Sequence, residues 1–258
     1  MPTPNPTFTI ITATFNAAAT LERTLRSVER QTCDSVEHLI MDGASTDATL
    51  QLARAYAERQ PQRSISVVSE PDSGLYDAFN KGIARARGTY IVFLNAGDTL
   101  HADDTLATIA AALPCDDEAR LPAVVYGETD IVDADGTFLR HRRLTAPRRL
   151  TWKSFQQGMR VCHQSFYALR TLVPTYDLQY RFSADFDWCV RVLKSASEQH
   201  RSTLRVDAVL TDYLAEGLTT QNHRASLRER YRIMAHHYGR LRTLLLHGWF
   251  VLRAVFKR

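Results

Sequence analysis

The feature that most limits what this chain can fold into is a change of period, from strand-like to helix-like, repeated four times in its first 113 residues. Phe8 to Thr14 (FTIITAT) is a short β-branched run, as expected of a strand buried on both faces. Leu21, Leu25 and Val28 then recur at helical spacing. His38 to Met41 forms a second strand that ends at Asp42-Gly43, and Leu50, Ala53 and Ala57 mark a second helix starting at Thr46 or Asp47. Ile65 to Val68 is a third strand, followed by the stripe Leu75, Phe79, Ile83, Ala86, which closes at Gly88. Tyr90 to Leu94 is a fourth strand and Asp103 to Leu113 a fourth helix. Strands that alternate with helices through short loops predict a parallel sheet covered on both faces. In such sheets functional groups gather at the carboxyl ends of the strands.

Beyond Leu113 the pattern changes. Ala123 to Glu128 and Thr137 to Leu139 read as strands around an Asp135-Gly136 turn, a hairpin signal. An arginine-rich stretch (Arg140, Arg142, Arg143, Arg148, Arg149) precedes Trp152 to Met159. Phe186, Val190 and Leu193 give a short helix, and Leu227, Tyr231 and Met234 open the last one. With 45% apolar and 23% charged residues in 258, the chain has globular composition and needs no disulfide or metal staple. Cys33, Cys115, Cys162 and Cys189 form no close pair, which fits free thiols in a reducing compartment. The first residues lack the basic and apolar regions of a secretory signal, and no run approaches the ~20 apolar residues of a membrane span. A cytoplasmic protein is the expectation. Charge is uneven. Nine Lys/Arg and one acid follow residue 223, so the preceding 223 residues carry net −4. An acidic body with a basic tail suggests an anionic surface as partner. No nucleic-acid recognition module is visible, so nucleic acid is not expected.

Acid-bearing loops follow the strands: Asp42 to Asp47 (DGASTD), Leu94 to Asp98 (LNAGD) and, later, Ser183 to Trp188 (SADFDW). A carboxylate directly after a buried strand is held rigidly among backbone amides, which suits base recognition or metal binding. Each loop taken alone is also an ordinary turn or helix cap.

Together with Thr9 to Asn16 (TIITATFN) and Glu70 to Gly88 (EPDSGLYDAFNKGIARARG), these segments resemble the inverting family 2 glycosyltransferases, in that family's order and over roughly residues 7 to 220. The resemblance extends to the branch building bacterial exopolysaccharides such as colanic acid and amylovoran. It implies an α/β GT-A (Rossmann-like) fold, with a mostly parallel sheet flanked by helices and an elaborated acceptor-side C-terminal half. Residues 1–222 would form the domain, 7–113 binding the nucleotide-sugar donor and 114–222 carrying acceptor and catalytic groups. Residues 223–258 would be a basic amphipathic helical tail.

The resemblance also implies roles. Thr12, Thr14 and Asn16 would line the nucleotide pocket, Asp42 would accept from the base N–H, and Asp72 with the following Gly74-Leu75-Tyr76 would sit over base and ribose. Asn80 and Lys81 would lie near the sugar-nucleotide, or serve helix packing and a solvated face. In place of the family's two acids separated by one residue stand Asn95, Ala96, Gly97 and Asp98. Asn95 would then contact the donor and Asp98 would hold Mg²⁺ or Mn²⁺, which neutralises charge on a diphosphate leaving group. His163 would touch metal or diphosphate, or is a buried histidine. Asp185 matches the catalytic base. Asp187 is the other candidate, or a structural acid paired with Arg191. Gly217 and Thr219 would close over the diphosphate. Gln221 to Arg224 has the spacing of the processive synthases' Gln-x-x-Arg-Trp, but Ala225 replaces the Trp, which implies one sugar per encounter.

The implied function is metal-dependent, non-processive transfer to a polyprenyl-diphosphate-linked saccharide, whose phosphates the Arg140 to Arg149 stretch could hold if it is not simply a solvated loop. The alternative is a catalytically inactive nucleotide-sugar-binding or scaffold protein. The leucine-rich tail around Trp249 would lie on the inner membrane surface, or dock on the domain or on a second subunit as a homodimer contact.

Overall fold

In a computed structural model, residues 5–114, 118–215 and 223–246 are described; Gly217, Thr219, Trp249 and the Gln221-Asn222 pair lie outside them. The alternation read from the sequence is present. β1 (Phe8–Thr14), β2 (Val36–Asp42), β3 (Ser64–Ser69) and β4 (Tyr90–Phe93) pair in parallel in the order β3-β2-β1-β4. They are joined by α1 (Ala18–Glu29), α2 (Thr49–Arg59) and α3 (Leu75–Arg85). β1, β2 and β4 are buried along their whole length, which is why their apolar stretches, such as Leu39 to Met41 in β2, do not alternate with exposed polar residues. Asp47 shows why the second loop turns where it does. Its carboxylate accepts the N–H of Ala18 at 3.1 Å and of Thr49 at 2.9 Å, serving the starts of α1 and α2 at once.

The second half extends the same sheet. After β5 (Thr99–Leu100) and α4 (Thr105–Ala112) come β6 (Val124–Val132), β7 (Phe138–His141), β8 (Phe166–Leu169), α5 (Ala184–Glu198), β9 (Thr203–Leu214) and α6 (His223–Tyr238). β8 runs antiparallel between β4 and β6, β9 is parallel to β6, and β5 and β7 close the edges. The core is continuous across both halves, running from Phe8 and Ile10 through Phe93 and Tyr126 to Trp188.

α6 departs from the expected tail. Ile233 and Met234 are fully buried, and the Tyr238 ring stacks on Trp152 at 5.5 Å. Helix geometry resumes over residues 240–246 after Gly239. Residues 223–238 therefore pack as part of the domain. No helix among the described residues is long and apolar enough to cross a membrane.

Candidate active site

Register builds the first part of the site. Thr14, Asp42 and Ser69 lie side by side at the carboxyl ends of β1, β2 and β3. Asp42, in the middle, accepts from Thr14 Oγ1 (3.1 Å), Ser69 Oγ (2.7 Å), Ser45 Oγ (2.5 Å) and the Ser45 N–H (3.1 Å). Burial acts against the charge, but the hydrogen bonds from Ser45, Ser69 and Thr14 hold the carboxyl below the usual carboxylate range. Four donors occupy its acceptor sites, so Asp42 knits the three strand ends together and Thr14 serves it. Thr12 lies deeper, fully buried, 3.0 Å from His38 Nε2, while His38 Nδ1 meets the Tyr56 hydroxyl at 3.1 Å. That places Thr12 in the sheet interior rather than on a nucleotide pocket.

The exposed groups at this edge are others. Phe15 is 65% exposed at the tip of β1. Beside it, Asn16 adopts φ 48° and its side-chain oxygen accepts the Thr46 N–H at 2.9 Å. Asp72 is half-buried, and its Oδ1 takes the Gly74 N–H at 2.8 Å. A Cβ on Gly43 would sit 2.4 Å from Asp72 Oδ2, so glycine at 43 is what lets this carboxylate reach the end of β2. Gly74 is required for its φ of 127°; the space beside its Cα is open. Asp72 thus keeps one oxygen uncommitted, whereas both oxygens of Asp42 are engaged.

Two residues expected to contact the donor are engaged with the protein's own backbone. Asn80 clamps the main chain of Tyr176, donating to its C=O at 3.0 Å and accepting its N–H at 2.6 Å. Lys81 holds the Pro71 carbonyl at 2.6 Å and lies 3.5 Å from Glu70, which fixes the loop that carries Asp72.

The catalytic half meets this edge through Tyr76. Its ring stacks on Tyr176 at 5.1 Å and its hydroxyl donates to Asp185 Oδ1 across a long 3.4 Å. Burial, then the nearby Asp185 charge, pushes the Tyr76 phenol well above its ordinary value, so it stays a donor. Asp185 sits in the first turn of α5 with its side chain 23% exposed, and also accepts the Phe186 N–H at 2.8 Å. A helix N-terminus favours a carboxylate there. His163 Nδ1 approaches Asp185 Oδ2 at 3.8 Å, and its buried Nε2 has no hydrogen-bond partner. Burial lowers the His163 imidazole, against the pull of Asp185, so the ring is neutral.

Asp187 faces elsewhere. It is buried between Arg191 Nε (2.6 Å) and His237 Nε2 (2.7 Å), and these partners hold it below the usual range despite burial. The sequence spacing gave the Arg191 pairing but not the one from α6. Glu229, also on α6, accepts three consecutive N–H groups, from Arg181, Phe182 and Ser183, at 2.8–3.0 Å. These are the residues just before α5, so a carboxylate from another helix fixes the entry to the turn that bears Asp185. No local motif signals this, because the partners are 46 to 48 residues apart.

Asp98, the expected metal ligand, is turned inward in this structure. Asp98 is 3% exposed, with Oδ1 on the Leu214 N–H (2.9 Å) and Oδ2 on the Gln164 amide (2.7 Å). Burial pushes its carboxyl up to about 7, with those hydrogen bonds pulling the other way. A carboxylate turned inward onto β9 is an anchor for that strand, and His163 is turned to Asp185 rather than to Asp98. Asn95 Oδ1, by contrast, is buried with no partner. One orphan carbonyl oxygen fits a hard cation only as a ligand shared with a diphosphate.

A parallel four-stranded edge with its loops at the carboxyl ends, extended by a mixed half that brings an acid to a helix N-terminus, defines the GT-A class of α/β fold. The chain belongs to glycosyl transferase family 2, whose pattern matches residues 9–173. It is 38% identical over 189 residues to a PGL/p-HBAD biosynthesis glycosyltransferase of Mycobacterium bovis, across 72% of this chain and 69% of that protein. Among solved structures it is similar to residues 1–349 of S. aureus TarS in complex with UDP (TM-score 0.67, 15% identity, 95% of this chain and 70% of that one). It spans 42% of a longer TarS chain. A mannosyltransferase from Pyrobaculum calidifontis in complex with GDP-Man and Mn²⁺ is similar too (TM-score 0.58, 18% identity, 98% and 76% coverage).

Proposed function

We propose that the chain is an inverting, non-processive glycosyltransferase. It would move one sugar from a nucleotide-sugar donor to a polyprenyl-diphosphate-linked saccharide in the assembly of a bacterial surface polysaccharide of the colanic acid or amylovoran kind. The observation that carries this reading is the placement of Asp185: partly open, at a helix N-terminus, and joined through Tyr76 to the loop that presents Asp72. Phe15 offers an apolar face to the base, and Asp72 Oδ2 an acceptor. The UDP and GDP-Man complexes of the similar structures support a nucleotide-sugar donor.

The chemistry is a single displacement. The acceptor oxygen attacks the anomeric carbon as the carbon–oxygen bond to the diphosphate breaks, and the acceptor's proton passes to Asp185. Tyr76 and the Phe186 N–H orient that carboxylate, and Glu229 holds the turn on which it stands. A divalent cation, Mg²⁺ or Mn²⁺, bound with the donor and touched by Asn95, would neutralise charge on the leaving diphosphate.

The test is a thermal-shift panel of UDP-, GDP- and dTDP-sugars with Mn²⁺, followed by hydrolysis of the stabilising donor in water. A ligand bound only by the folded state raises the midpoint. A donor that binds and is slowly hydrolysed supports the enzyme; a donor that binds and never turns over, with any acceptor, leaves an inactive binding protein.

A further inference from the structure

We propose that the chain carries a second metal site, for a zinc-class divalent ion, built by His101, Asp130, Asp212 and His141 on the opposite side of the sheet from Asp185. Three of the residues form a row across the neighbouring strands β9, β6 and β7, and His101 lies one residue past the end of β5, on the far side of β9. Asp130 on β6 is register partner to Asp212 on β9 and to His141 on β7, and Asp212 is partner to Thr99, two residues before His101. His101 Nδ1 lies 2.7 Å from Asp212 Oδ1, and His141 Nδ1 lies 2.8 Å from Asp130 Oδ1. One ligand atom from each of His101, Asp130 and Asp212 falls within 4.8 Å of the others. Tetrahedral zinc, with bonds of about 2.0–2.1 Å, separates its ligands by about 3.3 Å, so small side-chain turns close this group round one ion.

The side of the sheet follows from alternation. Thr129 and Thr211, the preceding residues on the same strands, bond to Ser165 Oγ and the Gln164 carbonyl beneath the catalytic half. Asp130 and Asp212 therefore point the other way. The site is reached from solvent past the His101 and His141 rings, 41% and 79% exposed, with the two carboxylates beneath.

Charge supplies an independent argument. Two carboxylates directly opposite one another on neighbouring strands repel. Among the described residues neither has a Lys or Arg within ion-pair distance; their partners are imidazoles, which carry charge only when protonated. A divalent cation cancels both negative charges and uses the imidazole nitrogens as ligands. Mixed nitrogen and oxygen donors select a zinc-class ion, whereas Mg²⁺ prefers oxygen alone. The bound ion would staple β5, β9, β6 and β7.

The test uses the full chain, stripped with EDTA, dialysed, and titrated with ZnCl₂ or MgCl₂ while binding heat and the thermal midpoint are read. The expected result is about one Zn²⁺ per chain and a midpoint raised by roughly 5–10 °C at a hundredfold excess over Kd, with no comparable response to Mg²⁺. Asp212→Asn should weaken Zn²⁺ binding at least tenfold, while its metal-free midpoint stays level or rises because a repulsive pair has gone. His141→Ala, at an exposed position where folding is not at stake, should also weaken binding at least tenfold. Absence of Zn²⁺ binding, an equal response to Mg²⁺, or an undiminished Zn²⁺ shift in both variants overturns the proposal. None of these readouts depends on glycosyl transfer.

Discussion

Asp185 and Asp187 share the first turn of α5, and their surroundings separate them. Asp185 keeps 23% of its side chain in solvent, whereas Asp187 is locked between Arg191 and His237. Asp185→Asn should leave donor affinity nearly unchanged and lower turnover by about 10²–10⁴, the range for a lost general base. Asp187→Asn should instead act on the fold, costing about 3 kcal/mol in denaturant unfolding, because it leaves the Arg191 guanidinium without its counter-charge and weakens the hydrogen bond that docks His237. If Asp187→Asn loses turnover at full stability, the base is two residues further on. His38 gives a pH signature at the same scale. Complete burial lowers its pKa from 6.5 to about 3, so the folded chain refuses a proton that the unfolded chain takes up. Its stabilising share is intact above about pH 6.5 and is lost progressively as the pH falls towards 3. Between pH 7 and 5 this amounts to about 2 kcal/mol, and urea midpoints of His38→Gln should show a pH dependence flatter by that amount.

α6 is the element whose role the sequence concealed. Helical spacing picked out Leu227, Tyr231 and Met234, yet Leu227 is 46% exposed and the packed face carries Ser226, Ile233 and Met234. Apolar periodicity found the helix and misplaced its face, because Glu229 and His237 dock it through polar contacts that no hydrophobic pattern records. β9 was missed for a related reason. TLRVDAVLTDYL mixes charged and apolar residues, and the strand forms because β6 on one side and β5 on the other supply its partners. The first four strands were legible because burial on both faces of β1, β2 and β4 leaves apolar stretches without polar alternation, Leu39 to Met41 in β2 and Tyr90 to Phe93 in β4. Site legibility divides in the same way. Their loops single out Asp185 and Asp72 as candidates, but the inward turn of Asp98, Asn80 and Thr12 depends on partners up to 116 residues away. Since Glu229 fixes the entry to α5, Glu229→Gln should lower kcat more than it raises KM for donor. A KM increase at unchanged kcat would assign Glu229 to donor binding instead.

At the scale of the whole molecule, the helical segment that follows α6 leaves an apolar and basic surface exposed. After α6 docks, Leu241, Leu244 and Leu245 stand 73%, 59% and 67% exposed beside the exposed Arg240 and Arg242. Apolar side chains interleaved with cations on one short helical segment have the chemistry of an anionic-lipid contact, in which the leucines would insert shallowly and the arginines would pair with headgroups. Such a contact would hold the Asp185 edge near a lipid-linked acceptor. Replacing Leu241, Leu244 and Leu245 together by Gln should cut cosedimentation with phosphatidylglycerol vesicles about tenfold or more. Three leucines withdrawn from water at about 1.5 kcal/mol each exceed the 1.4 kcal/mol that a factor of ten requires. Donor hydrolysis and the thermal midpoint should be unchanged, since none of the three side chains lies in the core. Retained vesicle binding together with a shift from dimer to monomer in sedimentation would mean that the leucines meet a second copy of the chain instead, and that the arginines act without them.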